Sequence, residues 1–293
     1  MSTPQVVDAA GALPATRLRV AAVQSAALPL RVADNARAAA ARAADAAHRG
    51  ARLVVLPELH LSAYDLPGLA RDTDDADDAV VRADRARQVT DHRLTPLADT
   101  AVRHGVTVIV GAAVRHPDGR LTNSLLAVHP GGAVTVPYDK QHLWHDEEAA
   151  LFSPGTRDAA LTVDGWRLGL GVCYDMSFPE HARAAALAGA HALLYPAAFA
   201  AGTEHRAAVY LRARALENTV HTVFANPVDG PRDRPCAGTS AVYGPDGGTL
   251  SRAPAGRDAT LLADLDPENL ARVRGRLRML AEHRAASARP APR

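Results

Sequence analysis

Apolar residues along this chain fall into short runs, separated by stretches in which Ala and Arg recur at helical spacing. The runs LRVAAVQ (18–24) and ARLVVLPE (51–58) read as buried strands. Between them, ADNARAAAARAADAAHRG has Asp34 as a candidate N-cap and stops at Gly50, which predicts a helix. A β-α-β start places both strand ends at one edge of a sheet, where α/β proteins carry their sites. The acidic run RDTDDADDAVVRADRAR (71–87) reads as a solvated loop opening into a helix that continues to His104. Three strands follow at 105–114, 122–130 and 131–140, with Gly131-Gly132 turning between the last two. Segment 158–175 reads as a hairpin about Asp164-Gly165, running through Cys173 onto a helix at 178–190. A strand at 191–199, a long helix at 203–219 and strands at 220–228, 236–251 and 258–266 complete the pattern, with a turn at Asp246-Gly247. From Pro267 the chain reads as an Arg-rich helix and then a loose tail.

Helices alternate with strands, yet many strands come as hairpins. That predicts an α/β fold with a mixed sheet, or two sheets, and helices outside. No Gly/Ser/Pro-rich linker divides the 293 residues, and no solenoid period repeats, so a single domain is expected. Its bounds are read as 17–276, after a disordered leader (1–16) and before an Arg/Ala-rich tail (277–293). Hydrophobic content of 47% supports a sizeable core, and the net charge is +1. No basic block interleaved with aromatics suggests nucleic acid. No apolar run is long enough for a bilayer span, and the start lacks the basic and apolar regions of a signal peptide. Two cysteines, Cys173 and Cys236, make no disulfide framework. The expectation is a soluble protein of the reducing cytoplasm.

Three residues stand out for chemistry. Lys140, in VPYDKQHLW, is the only lysine among 33 basic Lys and Arg positions. Arg substitutes freely for Lys on a solvated surface but not where a compact ammonium must fit a tight site. Cys173 follows an apolar strand and precedes a helix start. It is either a structural thiol or a nucleophile whose thiolate is favoured by the positive helix end. Glu58 ends a buried strand, where a carboxylate either reaches solvent or serves as a base with a raised pKa. His142, His145, Asp146, Glu147 and Glu148 cluster after Lys140, but no HExxH or CxxC spacing supports a metal, and solvated charge is expected there. Cys236, in PRDRPCAG, falls on an expected loop and reads as a bystander. GLGVCY lacks the third glycine of a dinucleotide fingerprint, and GTSAV lacks the closing glycine of a nucleophile elbow.

In order along the chain, LVVLPE with Glu58, YDKQHL with Lys140 and GLGVCYDMSFPE with Cys173 resemble the carbon–nitrogen hydrolase (nitrilase) superfamily. RVAAVQ, EAALFSPG, RARALEN and FANPV resemble its weaker signatures, so the likeness covers roughly residues 18–265. The resemblance implies a four-layer α-β-β-α sandwich in which subunits commonly pair through the helix after the cysteine, as a homodimer or higher homo-oligomer. It implies a Glu-Lys-Cys triad needing no metal or cofactor: Cys173 as nucleophile, Glu58 as proton carrier, Lys140 as oxyanion donor beside the Tyr174 amide. A second glutamate near the lysine is implied. Glu147 and Glu148 compete, and the spacing to Phe152 favours Glu148.

The implied substrate is a small aliphatic or ω-amino amide, hydrolysed to a carboxylate and ammonia through a thioester. N-carbamoyl compounds, or acyl transfer to an amine on the same site, are the alternatives. A nitrile-hydrolysing member is expected to carry Trp directly after the nucleophile, where this chain has Tyr174. Tyr64, Tyr174, Phe199 and Glu204 are the expected substrate contacts, with Glu204 or Arg206 placed to read an amine or a carboxylate.

Overall fold

The computed structural model describes residues 12–71, 78–231 and 234–287. The strands in chain order are β1 (Leu18–Gln24), β2 (Leu53–Val55), β3 (Val81–Arg82), β4 (Thr107–Arg115), β5 (Leu121–Val128), β6 (Val134–Asp139), β7 (Ala160–Val163), β8 (Trp166–Leu170), β9 (Ala192–Pro196), β10 (His221–Ala225), β11 (Val228–Asp229), β12 (Cys236–Ala237), β13 (Ala241–Tyr243), β14 (Thr249–Arg252) and β15 (Ala259–Leu265). The helices are α1 (Val32–His48), α2 (Leu66–Leu69), α3 (Thr95–His104), α4 (His145–Ala149), α5 (Pro179–Leu187), α6 (Glu204–Asn218), α7 (Pro267–Arg276) and α8 (Met279–Ser287). Short 3₁₀ turns cover His92–Leu94 and Cys173–Ser177.

Two mixed sheets carry the fold. One runs β15-β1-β2-β4-β5-β6 with β3 also on β4, the other β14-β13-β10-β9-β8-β7. Strand side chains alternate between faces, and here both faces are apolar. Val20, Ala22, Leu53 and Val55 turn inward against Trp166, Leu168, Leu170 and Val223 of the second sheet. Ala21, Val23 and Val54, one residue out of phase, pack against the Ala stripe of α1 and Leu97 and Ala101 of α3. On the second sheet, Leu193, Tyr195 and Phe224 face Ala182 and Ala186 of α5 and Leu211 and Ala215 of α6. The result is the α-β-β-α sandwich. No helix among the described residues is long and apolar enough to cross a membrane.

Four local expectations are corrected. Arg31 occupies the N-cap position of α1 without a side-chain capping bond, and Asp34 lies inside the first turn, where it pairs with Arg31 and Arg37. The helix expected to run from the acidic segment to His104 covers only Thr95–His104. Of the acidic run, 72–77 lie outside the described residues, and Val81–Arg82 pairs instead with Val114–Arg115. Arg87 then turns with φ 61° and sends both Nη atoms, each at 2.9 Å, to the Asp139 carboxylate. That tertiary pair overrides local propensity. Residues 1–11 of the leader are not described, but Leu13 packs on the core between the sheets and the Thr16 carbonyl accepts from Trp166 Nε1 at 2.8 Å. In the tail, Met279–Ser287 is a helix that buries Leu280, and Arg284 donates to the carbonyls of Ala186 and Leu187.

Candidate active site

Three strand ends converge. Glu58 lies three residues beyond β2, Lys140 directly after β6 and Cys173 three residues beyond β8. β2 is parallel to β4, and β5 and β6 each reverse direction, so β2 and β6 point the same way. The Glu58 amide donates to the Ala197 carbonyl after β9 at 3.4 Å, which ties the edges of the two sheets.

The Lys140 ammonium is fully buried. Nζ donates to Glu58 Oε1 at 2.7 Å and sits 2.8 and 2.7 Å from Oε1 and Oε2 of Glu148. Asn123 Nδ2 donates to Glu58 Oε1 at 2.7 Å and Glu148 Oε1 at 3.2 Å. Tyr64 Oη donates to Glu148 Oε1 at 2.7 Å, and the Trp144 amide to Oε2 at 2.6 Å. Glu148 is therefore saturated and fixed. Glu58 is not: its Oε2 is buried and makes no hydrogen bond with a described residue. Two carboxylates share one ammonium out of water. Burial pushes the Glu58 carboxyl up to about 7, raised further by Glu148 and opposed by Lys140. Burial alone would lower the Lys140 pKa, but the charges of Glu58, Cys173 and Glu148 hold it above its ordinary value. Tyr64, raised by burial and by both carboxylates, stays a neutral donor.

Cys173 opens the 3₁₀ turn with φ 46°, a conformation that costs a non-glycine residue about 1 kcal/mol or more. Asp175 holds it there. Its Oδ2 accepts from the Val172 amide at 2.9 Å and Tyr138 Oη at 2.8 Å, and its Oδ1 from the His142 amide at 2.9 Å. One buried carboxylate thus clamps the nucleophile turn to the segment after Lys140. The expectation that a helix end favours the thiolate is corrected. α5 begins only at Pro179, and burial and the Glu58 charge push the Cys173 thiol well above its usual range. Lys140 and the Ala198 backbone amide offset only part of this. The resting group is a thiol beside a base near neutrality.

A cavity of about 370 Å³ opens at Cys173. Tyr64, Tyr174 and Phe199 line it as expected from sequence, and so do Trp144, Arg206 and Tyr210. Glu204 is not in that lining. Thr203, Arg206 and Tyr210 share one face of the first turns of α6, and Glu204 sits off it. Glu148 is the glutamate on Lys140, whereas Glu147 lies at the surface, paired with Arg234 at 2.8 Å. An adjoining cavity of about 860 Å³ shares Tyr64, Ala198 and Arg234 but not Cys173. Cys236 lines that second space from β12, buried rather than on an open loop, its thiol pushed up to about 12 by burial. Among the described residues no group of three or more His, Cys, Asp or Glu is placed to hold a metal ion. Sequence reading missed Asn123 and Asp175. The signal for Asn123 is a polar residue in the apolar run TNSLL, but only the fold supplies its partners.

The carbon–nitrogen hydrolase family model matches residues 19–275. The omega-amidase of Mus musculus is 30% identical over 264 residues, covering 86% of this chain and 90% of its own. The deaminated glutathione amidase of Escherichia coli O157:H7 is 34% identical over 258 residues, covering 86% and 92%. Among solved structures, an amidase from Nesterenkonia sp. superposes with a TM-score of 0.74 at 29% identity, covering 92% of this chain and 98% of that one. A Glu→Gln variant of the Nesterenkonia sp. AN1 amidase carries acrylamide added to its active-site cysteine.

Proposed function

From the premise that this chain belongs to the carbon–nitrogen hydrolase family and is an amide-hydrolysing enzyme with a cysteine nucleophile, we propose that it hydrolyses small linear amides through Glu58, Lys140 and Cys173, with Glu148 fixing the lysine. The observation that carries this reading is the Lys140 ammonium shared at 2.7 Å between Glu58 and Glu148, with Cys173 near enough to feel both the Glu58 and the Lys140 charge.

In this mechanism Glu58 Oε2 takes the Cys173 proton as Sγ bonds to the amide carbon. The oxyanion of the tetrahedral adduct is stabilised by Lys140 and the Tyr174 amide. Glu58 returns the proton to the amide nitrogen, the C–N bond breaks, and ammonia leaves a thioester on Cys173. Glu58 then deprotonates water, which attacks the thioester carbon. The C–S bond breaks, the acid departs, and Glu58 returns the proton to the Cys173 sulfur, restoring the resting thiol. A base near neutrality suits both proton transfers, and burial of Glu58 supplies it.

The tests are ammonia release from linear amides and intact-mass detection of the acyl-enzyme. Cys173→Ala and Cys173→Ser should lose turnover and the adduct. Full activity in Cys173→Ala sinks the assignment. Added amine acceptors report whether acyl transfer competes with hydrolysis. We also propose that the enzyme works as a homodimer or higher homo-oligomer.

A further inference from the structure

The Glu58 carboxylate is held by one of its two oxygens. Lys140 Nζ and Asn123 Nδ2 both donate to Oε1, each at 2.7 Å. Oε2 is buried and makes no hydrogen bond with a described residue. Glu148 is held differently, because Tyr64 Oη and the Trp144 amide fix it as well. The last torsion of a glutamate side chain is broad and roughly two-fold. A single donor would let the Glu58 carboxylate turn and exchange its oxygens. Two donors, one from β5 and one from the residue after β6, converge on Oε1 and stop that rotation. The oxygen left over is the one available to a thiol proton.

Asn123 carries a structural cost where it stands. It is 1% exposed, and its Oδ1 is buried with no hydrogen-bond partner among the described residues. An unsatisfied buried acceptor destabilises a fold, and a leucine of nearly the same shape would bring none. The amide stands instead at the point where two carboxylates share one ammonium. Its nitrogen reaches Glu58 Oε1 and, at 3.2 Å, Glu148 Oε1. It is a donor without charge. A second cation in its place would draw the Glu58 carboxyl down, away from neutrality.

Resting on the assignment of Glu58 as the base, we propose that Asn123 is a positioning residue for catalysis: by locking Glu58 Oε1, it makes Oε2 the oxygen that meets the Cys173 proton. The same bond, with Lys140, opposes the burial and the Glu148 charge that raise the Glu58 carboxyl. Lys140 and Glu148 are the charged groups that touch Glu58 or its ammonium. Cys173, Tyr64 and Cys236 also feel the Glu58 charge, and burial first of all raises each above its ordinary value. A limb near 7 in the pH profile therefore belongs to Glu58, and Asn123 sets its position.

The experiment follows wild type, Asn123→Leu, Asn123→Ala and Glu58→Gln across neutral and alkaline pH. Two rates are read: ammonia release from butyramide, as kcat and KM, and alkylation of Cys173 by iodoacetamide, located by peptide mass. In wild type both should rise through a limb near 7. Asn123→Leu should move that limb up by about one pH unit or more, a tenfold change in proton affinity. It should also lower the plateau kcat about 10-fold while KM stays within about twofold. Asn123→Ala, which cannot overpack the site, should move the limb in the same direction. Thermal melts confirm that the variants fold. A limb that stays near 7 in a folded variant, or a loss of rate that is equal at every pH, overturns the role of Asn123 and leaves Glu58 as the base. Glu58→Gln that keeps wild-type turnover and alkylation overturns the base assignment and this inference with it.

Discussion

At the residue scale the site depends on one ammonium serving two carboxylates. Arginine keeps the charge but spreads it over a plane, and Lys140 has no exposed surface into which a larger head could move. Lys140→Arg should therefore retain a native circular dichroism spectrum yet lose about 10²- to 10³-fold in kcat, the usual cost of one oxyanion donor. An active, well-folded variant would return the lone lysine to accident. Glu58 gives a second prediction, with a sign in pH. Its carboxyl titrates near 7 in the fold against 4.5 when unperturbed. Below about 4.5 it is protonated in both states and has no effect. Between the two values the unfolded chain ionises first, so stability falls as pH rises, and the loss is complete above about 7. Glu58→Gln should abolish turnover and yet melt above wild type at pH 8, with the difference shrinking toward pH 4. A melting difference that does not vary with pH would contradict the raised carboxyl. In wild type, kcat/KM should climb with pH through a limb centred near 7 as the base deprotonates.

At the element scale, strand ends fix where the catalytic groups stand, and close backbone approach fixes the strand ends. Gly111 in β4 donates to the Pro57 carbonyl at 3.1 Å, and its own carbonyl accepts from Leu61 at 3.0 Å. A Cβ there would lie 2.6 Å from Pro57 O and meet the Leu59 amide nitrogen as well, so the Glu58 turn would have to shift. Gly111→Ala should cost about 1–3 kcal/mol in denaturant unfolding and lower kcat as well. Gly131→Ala, with nothing within 4 Å of the added atom, should stay within about 0.5 kcal/mol. Equal effects of the two changes would remove the argument from close approach. The central strands are legible because both of their faces are buried, which writes them as continuous apolar runs. The β3 edge was not, since Val81–Arg82 is too short to show a period and Arg87 takes its conformation from Asp139, more than fifty residues away in sequence. The same holds inside the site. Glu58, Lys140 and Cys173 sit in recognisable strings, whereas Asn123 and Asp175 matter only through what the fold brings to them. The thiol was misread because a helix end is visible in sequence and the depth of burial is not.

At the scale of the whole molecule, large apolar side chains are exposed on the outer face of α6. On α6, Val209 is 65% and Leu216 41% exposed, seven residues apart and so on one helix face. Leu250, near the turn that packs Gly247 against Leu216, is 44% exposed. The family likeness pointed to the helix after Cys173 as the pairing element. That helix, α5, packs beside α6, but its own outer positions are Pro179, Glu180 and Arg183 rather than large apolar side chains. For the homo-oligomer proposed above, the apolar ridge makes α6 the expected centre of the pairing face, with α5 at its polar rim, the usual division of an interface into apolar core and polar edge. Sedimentation should find a homodimer or larger assembly, and Val209→Glu with Leu216→Glu should shift it to monomer by about 100-fold or more in dissociation constant. The consequence reaches the site, because the adjoining face of α6 carries Arg206 and Tyr210 into the cavity, and Arg206 is one turn from Val209. A paired α6 would hold that wall of the cavity in place, so the monomerised variant should raise KM for amides more than it lowers kcat. A wild type that sediments as a monomer, or a monomeric variant with unaltered KM, would separate assembly from substrate binding.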